Sequence, residues 1–165
     1  MRDLTEKRNV KALFQVAITL SILVTLGGAL HAAETGGATS AADNASSLVA
    51  QIVEQTGRSA GLVVLLDNGH TSLADAFSKR PGFLLQTLAA TEARTLQLRK
   101  HAAAQSDDAR ATAITDAPGK LPYADGIVSI FVAENFGPDA GVDVSDLVRC
   151  LSPNGKAFLR VSKPH

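Results

Sequence analysis

Cysteine is almost absent from this chain: Cys150 is the single one in 165 residues, which excludes an internal disulfide and any metal cage of several thiolates. Net charge is absent as well, because 16 basic and 16 acidic residues cancel. Outside the first eleven positions the basic residues are scattered rather than striped, so there is no electrostatic footprint for nucleic acid. Aromatic residues reach only 4%, although hydrophobic residues at 45% are enough for a real core. His31, His101 and His165 are too dispersed to share a metal. A Ser-His-Asp order, a phosphate-cradling glycine loop and an internal repeat are all missing. What is left by length is one domain with an appendage.

The appendage comes first. Arg2, Lys7, Arg8 and Lys11 make a positive flank, and an apolar run follows from Ala12 to about Leu30. Cleavage after Ala32 would put Leu30 and Ala32 where a signal peptidase reads, so residues 1–32 read as a secretory signal. The rival is an uncleaved signal anchor, since ~20 apolar residues can just span a bilayer. Either way the domain is expected outside the cytoplasmic membrane, in the periplasm or cell envelope, with membrane contact only through this segment. Residues 33–44, rich in Gly, Ala, Ser and Thr, read as a flexible linker.

From residue 45 to the end the pattern alternates. Ser46 or Ser47 is expected to cap a helix carrying Leu48, Val49, Ile52 and Val53, stopped by Gly57. Gly61 to Leu66 is a short, wholly apolar run, the signature of a strand buried on both faces. A helix over Thr71 to Lys79, a strand from Phe83 to Leu88, and a helix from Thr87 or Thr91 to about Ala104 follow. A weak strand at Ala111 to Thr115, a strong one at Ile127 to Ala133, and a helix from Val144 to Leu151 with Asp143 as N-cap come next. Asn154-Gly155 reads as a turn into a last strand, Ala157 to Val161. This spacing predicts an α/β fold, three-layered and Rossmann-like, with a mostly parallel sheet of about five strands. Ligands of such a sheet bind outside the carboxyl ends of its strands, here after Leu66, Leu88, Thr115 and Ala133.

Four stretches, in order, resemble the class I, S-adenosylmethionine (SAM) dependent methyltransferases of the small-molecule, type 11-like kind. Val63 to Thr71 (VVLLDNGHT) stands in the place of that family's acidic, glycine-containing loop. Leu84 to Glu92 (LLQTLAATE) stands for the strand ending in a ribose-binding acid. Thr115 to Phe131 (TDAPGKLPYADGIVSIF) is similar to the D-A-x-x-L-P-F/Y-x-D-x-x-F-D segment, and Leu147 to Leu159 (LVRCLSPNGKAFL) to the R-x-L-K-P-G-G turn. The resemblance covers about Ser46 to the end and implies SAM as cofactor, a small-molecule ligand and no metal. It also implies cofactor contacts at Asp67, Gly69, Thr91, Asp116 and Glu134. By comparison with the family the chain is short at its C-terminus, lacking a final antiparallel hairpin.

The departures from the pattern are specific. Of the loop glycines only Gly69 remains, with Asp67 and Thr71 in the flanking places and Leu65 where an acid is usual. A side chain at a left-handed position costs roughly 1–2 kcal/mol unless it is Asn, Asp or Gly, which makes Asp67 sterically tolerable. Asp67 either crowds the carboxylate of a bound amino acid or pairs with its ammonium. Where the ribose acid belongs stand Ala89, Ala90 and Thr91, and such a loss costs ~1.5–3 kcal/mol, about ten- to a hundredfold in affinity. Asp116 keeps the place of the acid that faces the adenine amino group.

Each of these residues also has a plain structural reading. Asp67 and Gly69 make a tight strand-to-helix turn, Asp116 a solvated Asp-Ala-Pro-Gly turn, and Tyr123 either closes over adenine or packs its loop on the core. His70 is a base, a ligand or merely solvated; Glu134 and Asn135 follow the fourth strand without a partner acid or histidine. Cys150 falls on an apolar helix face. Three functions compete: a methyltransferase with an eroded cofactor loop and weak or no activity, a non-catalytic cell-envelope binding module, and a fragment of a larger exported protein. A fold of this kind catalyses by positioning a reactive methyl donor, so a missing base does not exclude activity. Export would separate the domain from a cofactor made in the cytoplasm.

Overall fold

The computed structural model describes residues 41–105, 110–115, 120–137 and 141–161. The expected leader, the first part of the linker and Asp116 lie outside the described residues. The elements are α1 (Ala41–Thr56), β1 (Gly61–Leu66), α2 (Ser72–Ser78), β2 (Phe83–Ala89), α3 (Glu92–Gln105), β3 (Ala111–Thr115), β4 (Val128–Phe136), α4 (Val144–Cys150) and β5 (Leu151–Val161). Among the described residues, no helix is long and apolar enough to cross a membrane.

Helix α1 begins earlier than its serines predict, so residues 41–44 are helical rather than linker, and Ser46 and Ser47 lie inside the helix. Two alanines, the best helix formers, and an acid (Asp43) in the first turn favour that start. Ala45, Val49 and Ile52, at i, i+4 and i+7, form its buried stripe. Gly57 ends it, its N–H reaching the Val53 and Glu54 carbonyls at 3.1 Å.

The five strands run parallel in the order β3-β2-β1-β4-β5. Val63 and Val64, on opposite faces of the central strand, are both completely buried. On one face α1 and α2 contribute Val49, Ile52 and Phe77 to a core with Leu65, Leu85 and Ile130. On the other, α4 and the stretch before β4 contribute Leu147, Leu121 and Tyr123 to a core with Leu88 and Phe131. Helices, sheet and helix make three layers, as parallel pairing requires.

The turn into β2 depends on Gly82, which holds φ +89° against the Ser59 carbonyl, a place where a Cβ has no room. Strand β5 starts at Leu151, six residues before the expected start. Asn154-Gly155 is indeed a local bend, with Asn154 at φ +62°, but it sits inside the strand. Pairing jumps from Val128↔Leu151 to Ile130↔Lys156, so the extra residues bulge out and the ladder resumes.

After β3 the chain crosses to the far side of β1 to form β4. Strand order therefore reverses between β1 and β4, and the crevice outside their carboxyl ends is where this topology places a ligand.

Candidate functional site

The β1–α2 loop is built from short side chains that turn inward. The Asp67 N–H donates to the Leu88 carbonyl at 2.8 Å, carrying the β1–β2 pairing one step further. Its carboxylate, only 11% exposed, receives Arg94 of α3 at both oxygens: Nε to Oδ2 at 2.9 Å and Nη2 to Oδ1 at 3.0 Å. Oδ1 also accepts the Gly69 N–H at 3.2 Å. Hydrogen bonding to Asp67 holds the Arg94 guanidinium above its ordinary range, against the opposing pull of burial. Among the described residues only Asn154 of the non-glycines has positive φ, so Asp67 carries no left-handed strain. The expected left-handed but tolerable position at Asp67 is not left-handed: in this loop Gly69, at φ +89°, is the residue with positive φ.

Asn68 does the same on the β4 side. Its Oδ1 accepts the His70 N–H at 2.9 Å, and its Nδ2 donates to Glu134. Glu134 in turn lies 3.4 Å from Nη1 of Arg160 on β5. The Asn68–Glu134 contact thus bridges the ends of β1 and β4 across the switch point. The crevice lined by Leu66, Asp67, Asn68, His70, Thr87 and Glu134 leaves room for about one water.

At the end of β2, Ala89 is fully buried, while Ala90, Thr91 and Glu92 are exposed. Thr91 caps α3, its Oγ1 accepting the Arg94 N–H at 3.2 Å. Helix α3 itself is tied down by polar groups. Besides Arg94, Thr95 meets the Thr115 hydroxyl at 3.0 Å, Arg99 donates to the Ala113 carbonyl at 2.7 Å, and His101 meets Asp75 of α2 at 2.7 Å.

The stretch before β4 is clamped to α4. Arg149 donates to Asp146 at 2.7 Å, Asp125 at 2.6 Å, the Tyr123 carbonyl at 2.8 Å and the Leu121 carbonyl at 3.3 Å. Asp146 closes the loop by accepting the Leu121 N–H. Tyr123 is buried in the core, and Cys150 beside it has its thiol pushed up by burial. His70 is exposed at the crevice, and Asn135 is exposed one residue beyond Glu134.

The structure therefore gathers Asp67, Gly69 and Glu134 at one crevice, with Thr91 at the adjacent helix start. Sequence reading passed over Arg94 and Arg149. Arg94 had a signal: Arg94, Leu98 and His101 lie at i, i+4 and i+7, so a charge shares the face of a buried leucine and needs a partner.

No protein family model and no curated protein matches the sequence. Solved structures do match. A Methanococcus maripaludis protein provisionally assigned as an S-adenosyl-L-methionine-dependent methyltransferase has a TM-score of 0.60 at 16% identity, covering 81% of this chain and 68% of that one. The fold is class I methyltransferase-like. The glycopeptide N-methyltransferase MtfA has a TM-score of 0.57 at 19% identity, over 70% of this chain and 52% of that one. A SAM-dependent methyltransferase from Aquifex aeolicus has a TM-score of 0.51 at 12% identity, over 63% and 58% respectively. The chain thus spans between 52% and 68% of the length of these structures. Likeness at such identities extends to the methyltransferase-like fold and leaves the chemistry to the residues.

Proposed function

We propose that this chain is a non-catalytic methyltransferase-like domain of the cell envelope, exported by its leader, whose cofactor crevice is closed by its own side chains. The observation that carries the reading is the bidentate pairing of Asp67 with Arg94. Described residues that would have to hold SAM do not fit it. Asp67 is committed to Arg94, and the Gly69 and His70 amides that would face a ligand are committed to Asp67 and Asn68. Ala89 offers a buried methyl where the resemblance implies a ribose acid. Fold and site make separate demands, so the scaffold persists without the chemistry.

Titrating the purified chain with SAM by calorimetry tests this. A folded protein giving no binding heat at millimolar ligand is the expected outcome. Binding tighter than about 100 µM, or near 5–6 kcal/mol, overturns the reading.

A further inference from the structure

The closed crevice is filled unevenly. Toward β4 there is a single amide-to-carboxylate hydrogen bond, Asn68 to Glu134. Toward α3 there is a complete ion pair that uses both oxygens of Asp67. Asp67 is 11% exposed and Arg94 26%, so the carboxylate belongs to the floor and the guanidinium enters from the mouth.

Asp67 is also fixed without any help from Arg94. Its own N–H is bonded to Leu88, and its Oδ1 takes the Gly69 amide. Taking the guanidinium away would leave a preoriented carboxylate, uncovered on the side that Arg94 now occupies, beside a cation-sized space. Such a group is costly to leave unpaired and accepts whatever cation can reach it.

We propose that Arg94 is an internal plug. Its guanidinium occupies a cation-binding position on Asp67, and the crevice takes a small amine- or guanidinium-bearing molecule once that side chain has swung out. The proposal rests on the closed-crevice reading above and adds what the closed position would hold. A tethered side chain competes at an effective concentration in the millimolar range, so the plug keeps free cations out of the unaltered chain.

Chemical rescue of the full chain tests it. Arg94→Ala is expected to lower Tm, followed by circular dichroism, by on the order of 5 °C. Methylguanidinium at about 10 mM should restore much of that loss with saturation, while sodium at equal ionic strength should not. The double variant Arg94→Ala/Asp67→Asn should show no rescue. Absence of a saturable rise in Arg94→Ala, or an equal rise in the double variant, overturns the plug. Should Arg94→Ala fail to fold, Arg94→Gln is read by the same criteria. The two readings fail separately: SAM binding by the unaltered chain overturns the closed crevice, whereas an unrescued Arg94 variant overturns the plug alone.

Discussion

Arg149 sits where four acceptors converge, and the Asp146 carboxyl beside it is held below the usual carboxylate range, first by the Arg149 hydrogen bond and then by the Leu121 amide. A carboxyl whose pKa falls on folding adds stability above its unfolded value, near about 3.9, and loses that contribution as pH drops through the lowered folded value. Arg149→Met should therefore be less stable than the unaltered chain near neutrality, and the gap should narrow below about pH 4. Urea unfolding across a pH series measures it, and a gap that stays constant with pH would exclude the ion pair as its source. At this scale the site was only partly legible. Asp67 and Gly69 follow β1, and Glu134 follows the apolar run of β4, so a strand pattern finds them. Their partners are 27 and 66 residues away for Arg94–Asp67 and Asn68–Glu134, separations that no local spacing encodes.

Elements were legible wherever a local pattern dictates them. Gly61–Leu66 matches the apolar run that predicted it, because a parallel strand buried on both faces is continuous in composition, whereas the weak signal at Ala111–Thr115 belongs to an edge strand that buries only Ala113. Asp143 caps α4 as expected, accepting the Ser145 N–H at 2.8 Å. The boundaries that moved are those set by tertiary pairing: β4 runs on to Phe136 because β5 lies alongside it, and β5 absorbs a bend that by itself reads as a turn. Two glycines separate conformation from space. Gly69 and Gly82 share φ +89°, yet a Cβ meets nothing at Gly69 and collides with the Ser59 carbonyl at Gly82. Gly69→Ala should cost about 1–2 kcal/mol for backbone conformation. Gly82→Ala should cost at least about 1 kcal/mol more, because the turn entering β2 must shift as well. Equal losses in denaturant unfolding would mean that the close approach at Gly82 relaxes freely.

Among the described residues, three helices lie on one side of the sheet and a single short one on the other, with a reversal of strand order in the middle. Export is tested at this scale. N-terminal sequencing of the protein from the cell envelope should find a chain starting at Ala33, whereas an intact N-terminus in the membrane fraction would favour the anchor. The helices are also attached by different means. Helices α1 and α2 are seated by Val49, Ile52 and Phe77 in the core, but α3 buries only Thr95 and Leu98 and leans on the Arg94–Asp67 ion pair and on hydrogen bonds. Dissolved ions weaken charge pairs that reach solvent and leave apolar contacts intact. Added salt therefore reaches first the Glu134–Arg160 pair at the β4 wall, where Arg160 is 69% exposed, and least the Asp67–Arg94 pair, whose carboxylate is only 11% exposed, so ionic strength acts unevenly across the crevice.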